Sequence, residues 1–256
     1  MPIDSKNSIQ VIDRMMQLLD VLVASAEPVA LKSLAQQTGL HTSTAHRILN
    51  VMVGARLVDR NEPGNYRLGM RLMELGNIVK SRIDVRQVAL PFMRELHAIT
   101  GETVNLSVRQ DDEIIYVERT ASARTMMRVV QVIGARAPLH ITAAGKLYLC
   151  EDDPARVKAY AERSHLTPYT VNSLRTLAAL TKELLAVRGQ GYALDQEEAE
   201  LGVRCIAAGV YDDTGALCAG LSVSAPMERS KLAWASEIKV AAAKVSEALG
   251  FERHRL

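Results

Sequence analysis

The stretch Leu31-Lys32-Ser33-Leu34-Ala35-Gln36-Gln37-Thr38-Gly39-Leu40-His41-Thr42-Ser43-Thr44-Ala45-His46-Arg47-Ile48-Leu49 decides how this chain begins to fold. Lys32 to Thr38 reads as a short helix stopped by Gly39. Thr42 to Ala55 reads as a second, with Ala45, Ile48, Leu49 and Met52 on one face. Glycine at 39 supplies the positive φ that a tight turn between two helices needs. Ala35, four positions earlier, is small enough to let the helices approach closely. Together Leu34-Ala35-x-x-x-Gly39-Leu40 and Ala45-x-x-Ile48-Leu49 match a helix-turn-helix, whose second helix enters the major groove of DNA. The A-x-x-x-G pattern alone also occurs in ordinary helical hairpins, so the flanks must decide.

Upstream, Ile9 to Ala24 places Ile12, Met15, Met16, Leu19, Leu22 and Val23 at helical spacing, and Glu27-Pro28 ends the helix. Downstream, Leu57-Val58-Asp59-Arg60 and Tyr66-Arg67-Leu68-Gly69 flank the turn Asn61-Glu62-Pro63-Gly64-Asn65 as two short strands. A hairpin directly after the third helix is the wing of a winged helix. Arg60 and Arg67 lie on its two strands, placed to reach phosphate or a minor groove. At the start of the recognition helix Thr42 reads as the N-cap. Ser43 and Thr44 are short enough for close approach to double-stranded DNA, and His46 and Arg47 extend toward base edges or phosphates. The alternative is that Ser43 and Thr44 only cap the helix and Arg47 is solvated; the turn before and the wing after favour contact.

Charge is distributed to match. The whole chain of 256 residues carries a formal +2, but residues 31–71 hold six Lys/Arg against two Asp/Glu, and residues 83–256 hold 21 against 22. A small basic module followed by a neutral one suits polyanion binding at the N-terminus, although a surface fluctuation would give the same count. Apolar residues make up 48% and charged residues 23%, as in a folded globular protein, and the length suits two domains. Aromatics at 4% are too few for a base-stacking or carbohydrate-stacking platform. Cys150, Cys205 and Cys218 form no C-x-x-C pair, so neither a zinc site nor a disulfide framework is expected, and no metal or other cofactor is called for. No signal-peptide pattern and no long apolar run is visible, which makes the cytoplasm the expected compartment.

Beyond the wing, Met70 to Arg82 reads as a connector helix with Leu72, Leu75, Ile78 and Val79 apolar, a face suited to dimerising the N-terminal modules. A helix from Val85 to Thr100 opens the second domain. Thr103 to Arg109 and Ile114 to Arg119 form a hairpin, with further strands at Thr125 to Val132, Tyr192 to Asp195, Val203 to Tyr211 and Leu217 to Ser224. Helices are expected near Thr142 to Cys150, Asp153 to Tyr160, Thr176 to Gly189 and Lys231 to Leu249, the last burying Trp234, Ile238, Ala241, Val245 and Leu249. The turn Asp212-Asp213-Thr214-Gly215 pairs its strands antiparallel. The expected fold class is α+β: a winged helix-turn-helix over 1–69, a linker helix over 70–83, and a domain over 84–256 with a central antiparallel sheet flanked by helices.

Four blocks in order resemble the IclR family of bacterial regulators. They are the helix-turn-helix with Arg47-Ile48-Leu49; the wing ending Tyr66-Arg67-Leu68-Gly69; Pro138-Leu139-His140-Ile141-Thr142-Ala143-Ala144-Gly145-Lys146; and Gly191-Tyr192-Ala193 through Glu197-Glu198 and Gly202-Val203-Arg204-Cys205-Ile206-Ala207-Ala208 to Leu221-Ser222-Val223-Ser224-Ala225-Pro226. The resemblance implies a GAF-like C-terminal domain that binds a small-molecule effector, a carboxylate or an aromatic acid, and a homo-oligomer, dimer or tetramer. It implies effector contacts at the amides of Ala143 and Ala144, at Asp195, at Cys205, and at Ser222 and Ser224. Ala143 and Ala225 stand where the family often has glycine, so the identity of the ligand does not carry over. His140 is a further candidate donor.

These assignments make chemical sense unaided. Free amides at a helix start attract an anion, alternate serines on a strand share a face, and a few polar groups in an apolar pocket make a ligand site. For single residues the alternative stays open: Cys205 as core, Asp195 as a turn residue, the serines paired with backbone. As an enzyme the chain lacks a nucleophile elbow, a P-loop or a dinucleotide turn. Asp195-Gln196-Glu197-Glu198-Ala199-Glu200 reads as a solvated acidic face rather than a catalytic cluster. A DNA-binding architectural protein without a ligand is the other alternative.

Overall fold

The computed structural model describes residues 10–61, 64–81, 84–120 and 132–252. The chain divides into two compact units, residues 1–82 and 83–256.

The first unit runs α1 (Gln10–Val23), β1 (Val29–Ala30), α2 (Leu31–Thr38), α3 (Thr42–Gly54), β2 (Val58–Arg60), β3 (Asn65–Leu68) and α4 (Met70–Ser81). Its core gathers Leu18 and Leu22 from α1, Leu34 and Ala35 from α2, Ala45, Ile48, Leu49 and Met52 from α3, and Val58 and Tyr66 from the hairpin. Gly39 ends α2 at φ 67°, and the amide of Leu40 donates back to the Ala35 carbonyl at 3.0 Å. The left-handed glycine thus turns the chain tightly enough for α2 and α3 to share one core.

Two features of this unit differ from the sequence reading. The hairpin has a third strand: β1 pairs with β3, Val29 opposite Tyr66 and Ala30 opposite Asn65. Two residues carry no periodicity to betray it. On α1, Leu18 and Leu22 are buried, while Ile12, Met16 and Val23 are about half exposed, at 50%, 47% and 60%. The apolar arc of this helix is wider than the unit covers, and the Leu18–Leu22 side is the one that α2 and α3 pack against. On α4, Met70, Met73, Leu75 and Ile78 are exposed as well.

The second unit runs α5 (Val85–Thr100), β4 (Thr103–Gln110), β5 (Glu113–Thr120), β6 (Arg136–Pro138), a 3-10 turn (Leu139–Ile141), α6 (Ala143–Glu151), α7 (Pro154–Ser164), α8 (Leu177–Gln190), β7 (Ala193–Gln196), β8 (Val203–Tyr211), β9 (Leu217–Pro226) and α9 (Trp234–Ala248). The strands form one sheet in the order β6-β5-β4-β9-β8-β7, with every neighbouring pair antiparallel. Both faces are covered. Met93, Leu96, Ile238, Ala242 and Val245 of α5 and α9 pack on Val104, Leu106, Ile206, Leu221 and Val223. On the other face Leu139, Leu147, Tyr160, Leu180 and Val187 pack against Ile114, Tyr116, Ala193, Cys205 and Ala207.

This two-sided burial takes in polar as well as apolar residues of the central strands: Asn105 and Ser107 of β4 and Ser222 and Ser224 of β9 are all buried. The expected strand Thr125 to Val132 lies outside the described residues but for Val132. The short edge strand β6 was not expected; Pro138, which has no amide to donate, closes it at the sheet's margin.

Candidate functional site

The first candidate surface is the start of α3. Its N-cap is His41, not Thr42: His41 is extended at φ −63°, ψ 136° with no side-chain cap, and the amides of Thr44 and Ala45 donate to the His41 carbonyl at 2.9 and 3.0 Å. The helix begins one residue earlier than the hydroxyl suggested, because the carbonyl of His41 takes those amides. Thr42 is therefore an exposed first-turn residue. Instead His41 Nδ1 lies 2.8 Å from Ser43 Oγ.

Ala45, Ile48, Leu49 and Met52 point into the core, so Ser43, His46 and Arg47 fall on the far side of the helix. Ser43 and Arg47 are exposed, and Thr44 and His46 are half-buried. Asn50, one turn further on, is exposed and sits 3.4 Å from His46 Nε2. Sequence reasoning passed over it, though its i+4 spacing from His46 was visible.

The wing arginines do not act as a pair. Arg60 is opposite Tyr66 and Asp59 opposite Arg67, so the pleat turns the two guanidinium groups to opposite faces. Arg60 lies over the Tyr66 ring at 5.7 Å from its centroid. Arg67 stands on the other face, 3.7 Å from Asp59.

The second candidate is a cavity of about 60 Å³ in the second unit, where α6 meets the sheet. Ala143, Ala144, Asp195, Cys205 and Ser222 line it, together with Ile114, Tyr116, Arg136, Thr142, Glu200 and Val203. The structure thus brings five of the six expected residues together. Ser224 is one pair further along β9 and is not in the lining; its hydroxyl accepts from Asn105 Nδ2 at 3.1 Å and lies 3.1 Å from Cys205 Sγ. It stands behind the wall and orients the thiol.

The helix start is built by small residues. Thr142 caps α6, its Oγ1 accepting the Gly145 amide at 3.1 Å, and the Lys146 amide reaches the Thr142 carbonyl at 3.0 Å. Among the described residues no partner takes the amides of Ala143 and Ala144, which leaves two donors at the positive end of a helix beside the cavity. A methyl group on Gly145 would lie 2.3 Å from the Leu139 carbonyl oxygen, and one on Gly220 of β9 would lie 2.8 Å from Ala144 Cβ. Glycine at 145 lets the 3-10 turn fold tightly against the start of α6, and glycine at 220 lets α6 seat closely on the sheet.

Across the cavity, Asp195 pairs with Cys205 in the β7–β8 ladder. Its Oδ1 accepts the amides of Glu198 at 2.7 Å and Ala199 at 3.4 Å. Burial pushes the Asp195 carboxyl up to about 7, against the pull of those amides and of Lys146. Burial likewise raises Cys205 and Tyr116, so neither ionises near neutrality. The acidic run is not a solvated face: Asp195 and Glu198 are 2% and 5% exposed, because the turn folds inward to be held by Asp195.

His140 is not a ligand donor either. It is buried against Tyr160, with Nδ1 2.7 Å from the phenol oxygen and Nε2 3.1 Å from the Thr167 carbonyl. It braces α7 rather than lining the cavity. A wider open groove of about 800 Å³ runs past Arg109, Asp112, Asp152 and Arg163. Its charges are already matched, Arg109 to Asp152 and Arg163 to Asp112, each at 2.8 Å, which leaves little to recognise a ligand.

Two family models match the chain: the IclR helix-turn-helix domain over residues 11–62 and the bacterial transcriptional regulator IclR C-terminal domain over residues 78–249. The chain belongs to the IclR family. The IclR-type regulators similar to it include the HTH-type transcriptional regulator XynR of Escherichia coli, 35% identical over 248 residues that cover 95% of this chain and 98% of XynR. Among solved structures the Agrobacterium tumefaciens repressor BlcR superposes with a TM-score of 0.82 at 27% identity, covering 96% of this chain and 99% of BlcR. An IclR homologue from Microbacterium hydrocarbonoxydans, complexed with 4-hydroxybenzoate, shares the fold with a TM-score of 0.61 at 24% identity over 93% of this chain and 98% of its own. The IclR-family chain is accordingly a DNA-binding transcriptional regulator and not an enzyme. Among the described residues no helix is long and apolar enough to cross a membrane.

Proposed function

We propose that this IclR-family regulator binds operator DNA through Thr42, Ser43, Thr44, His46 and Arg47, with Arg60 and Arg67 on the flanking backbone, and that a small carboxylic acid in the α6 cavity controls that binding. Ala143, Ala144, Asp195, Cys205 and Ser222 contact the acid, and Ser224 supports Cys205. One observation carries the effector half: two helix-start amides without a partner among the described residues and a buried carboxyl line the same cavity, whose other walls mix apolar groups with Arg136, Glu200 and Ser222. An anion is the ligand such a site suits.

The cavity volume of about 60 Å³ fits the carboxylate end of a small acid. A larger body such as 4-hydroxybenzoate, held by the homologue of the same fold, would need the wall near Arg136 and Ala137 to move. The regulator works in the cytoplasm as a homo-oligomer. The exposed apolar residues of α1 and α4 supply an interface, and 70–83 serves as the linker helix. The ligand favours one arrangement of the C-terminal domains, which changes the spacing of the recognition helices.

The test is a thermal-shift screen of acids, since a ligand that binds only the folded state raises the melting temperature by mass action. A stabilising acid that also changes operator binding supports the proposal. A screen in which no acid stabilises the chain contradicts it.

A further inference from the structure

Lys146 follows Gly145 in the same sequence block. Its side chain is fully buried. Its Nζ donates to Glu198 Oε1 at 2.5 Å, to the Leu194 carbonyl at 2.7 Å and to Glu183 Oε1 at 3.3 Å. All three ammonium donors are used, on the turn after β7, on β7 itself and on α8.

Lys146 rides on α6, whose first two residues form one wall of the cavity. Asp195 on the opposite wall directly follows Leu194, and it holds the amide of Glu198. One ammonium therefore joins the roots of both walls. Glu198 Oε2 is buried with no hydrogen-bond partner among the described residues, so that carboxylate depends on Lys146 for its charge balance. A buried ion pair of this kind is rarely more stabilising than apolar residues of the same volume, which points to a role beyond holding the fold.

We propose that Lys146 is a positioning residue of the effector pocket: it fixes the Asp195 turn against α6, and its charge governs the proton that Asp195 keeps when an anionic effector enters. This rests on the reading of the cavity as the effector site. The titratable and charged groups around Asp195 are Tyr116 from β5, Arg136 from β6, Lys146 from α6, Glu183 from α8, Glu198 and Glu200 from the turn, and Cys205 from β8. Two carboxylates at contact distance in a small buried site share one proton. An acid that enters as its anion therefore needs Asp195 in its protonated form, and any proton missing from Asp195 comes from solvent. Asp195 then donates to one ligand oxygen while the amides of Ala143 and Ala144 donate to the other.

Removing the cation of Lys146 raises the pH at which Asp195 loses its proton, and removing the anion of Glu198 lowers it. Calorimetric titrations of the full chain with acetate, pyruvate and 4-hydroxybenzoate, between about pH 6 and pH 9 and in buffers of different ionisation heat, read both affinity and proton uptake. For the wild type, affinity is expected to fall about tenfold between pH 7.5 and pH 8.5, with uptake approaching one proton per ligand. Lys146→Met shifts the midpoint of the pH profile upward and Glu198→Gln shifts it downward. Asp195→Asn, whose amide still donates, flattens the profile and abolishes uptake.

Coincident midpoints in wild type and Glu198→Gln, or binding at pH 8 without proton uptake, would overturn the proposal. These outcomes do not require Lys146→Met to fold. If none of the acids binds the wild type, the cavity reading fails and takes this proposal with it; binding without proton linkage defeats this proposal alone.

Discussion

Replacing Asp195 by asparagine makes the chain more stable at pH 8 and leaves it nearly unchanged at pH 4. Asp195 is 2% exposed, and burial lifts its carboxyl from 3.8 to about 7 in the folded state. The folded chain therefore binds more protons at this site than the unfolded chain between those two values. By linkage, stability falls as pH rises through that window. At about 1.4 kcal/mol per pH unit the full cost above pH 7 is about 4 kcal/mol, and relaxation of the turn brings the expected gain for Asp195→Asn into the range of about 2 to 4 kcal/mol. Asparagine keeps the acceptor that holds the amides of Glu198 and Ala199, so the turn survives the change. Urea unfolding of both proteins at pH 4 and pH 8, followed by far-UV circular dichroism, measures the difference. A variant less stable than wild type by the same margin at both pH values would refute the reasoning, because it would show Asp195 ionised and structurally favourable throughout.

Arg47→Ala is expected to weaken operator binding by about 1 to 3 kcal/mol in an anisotropy titration, while any thermal shift caused by an acid stays as in the wild type. Loss of both would mean that Arg47 serves the fold. Gly145→Ala drives a methyl group onto the Leu139 carbonyl oxygen. It should cost about 1 to 3 kcal/mol of stability and abolish the acid-induced thermal shift even where the chain stays folded. Ile12→Asp combined with Met16→Asp puts charge on the exposed side of α1 and should move the chain toward monomer in sedimentation velocity, leaving the melting temperature within a few degrees.

The DNA-binding unit was legible because its signals are local. Gly39 and Ala35 mark the turn, Ala45, Ile48, Leu49 and Met52 mark the buried face, and the Asn-Glu-Pro-Gly-Asn turn marks the wing. What local pattern could not reach was pairing. Val29–Ala30 is too short for a period. The opposite orientations of Arg60 and Arg67 follow from the hairpin register. The N-cap fell to His41 because backbone geometry, not the identity of the hydroxyl, places the first helical turn.

In the second unit the described strands and helices other than β6 followed from composition and turn residues, but the cavity needed a resemblance to be located. The resemblance still left out Tyr116 and Arg136, which reach the cavity through the pairing of β5 with β6, Glu200, brought there by the inward fold of the turn after β7, and Thr142, the cap of α6. Lys146 was in plain view in the sequence. A lysine in an otherwise apolar helix, followed far along the chain by the half-buried Glu183 and the buried Glu198, becomes interpretable only when the three are within hydrogen-bond distance.

The central claim is that occupancy of the α6 cavity changes how the chain holds DNA. The most direct measurement is the dissociation constant for a duplex selected for tight binding to the chain, taken by fluorescence anisotropy at fixed salt with and without the acid that most raises the melting temperature. A change of at least about fivefold, in either direction, is the expected result for a coupling of this kind. An operator affinity that does not move while that acid saturates the protein would contradict the claim.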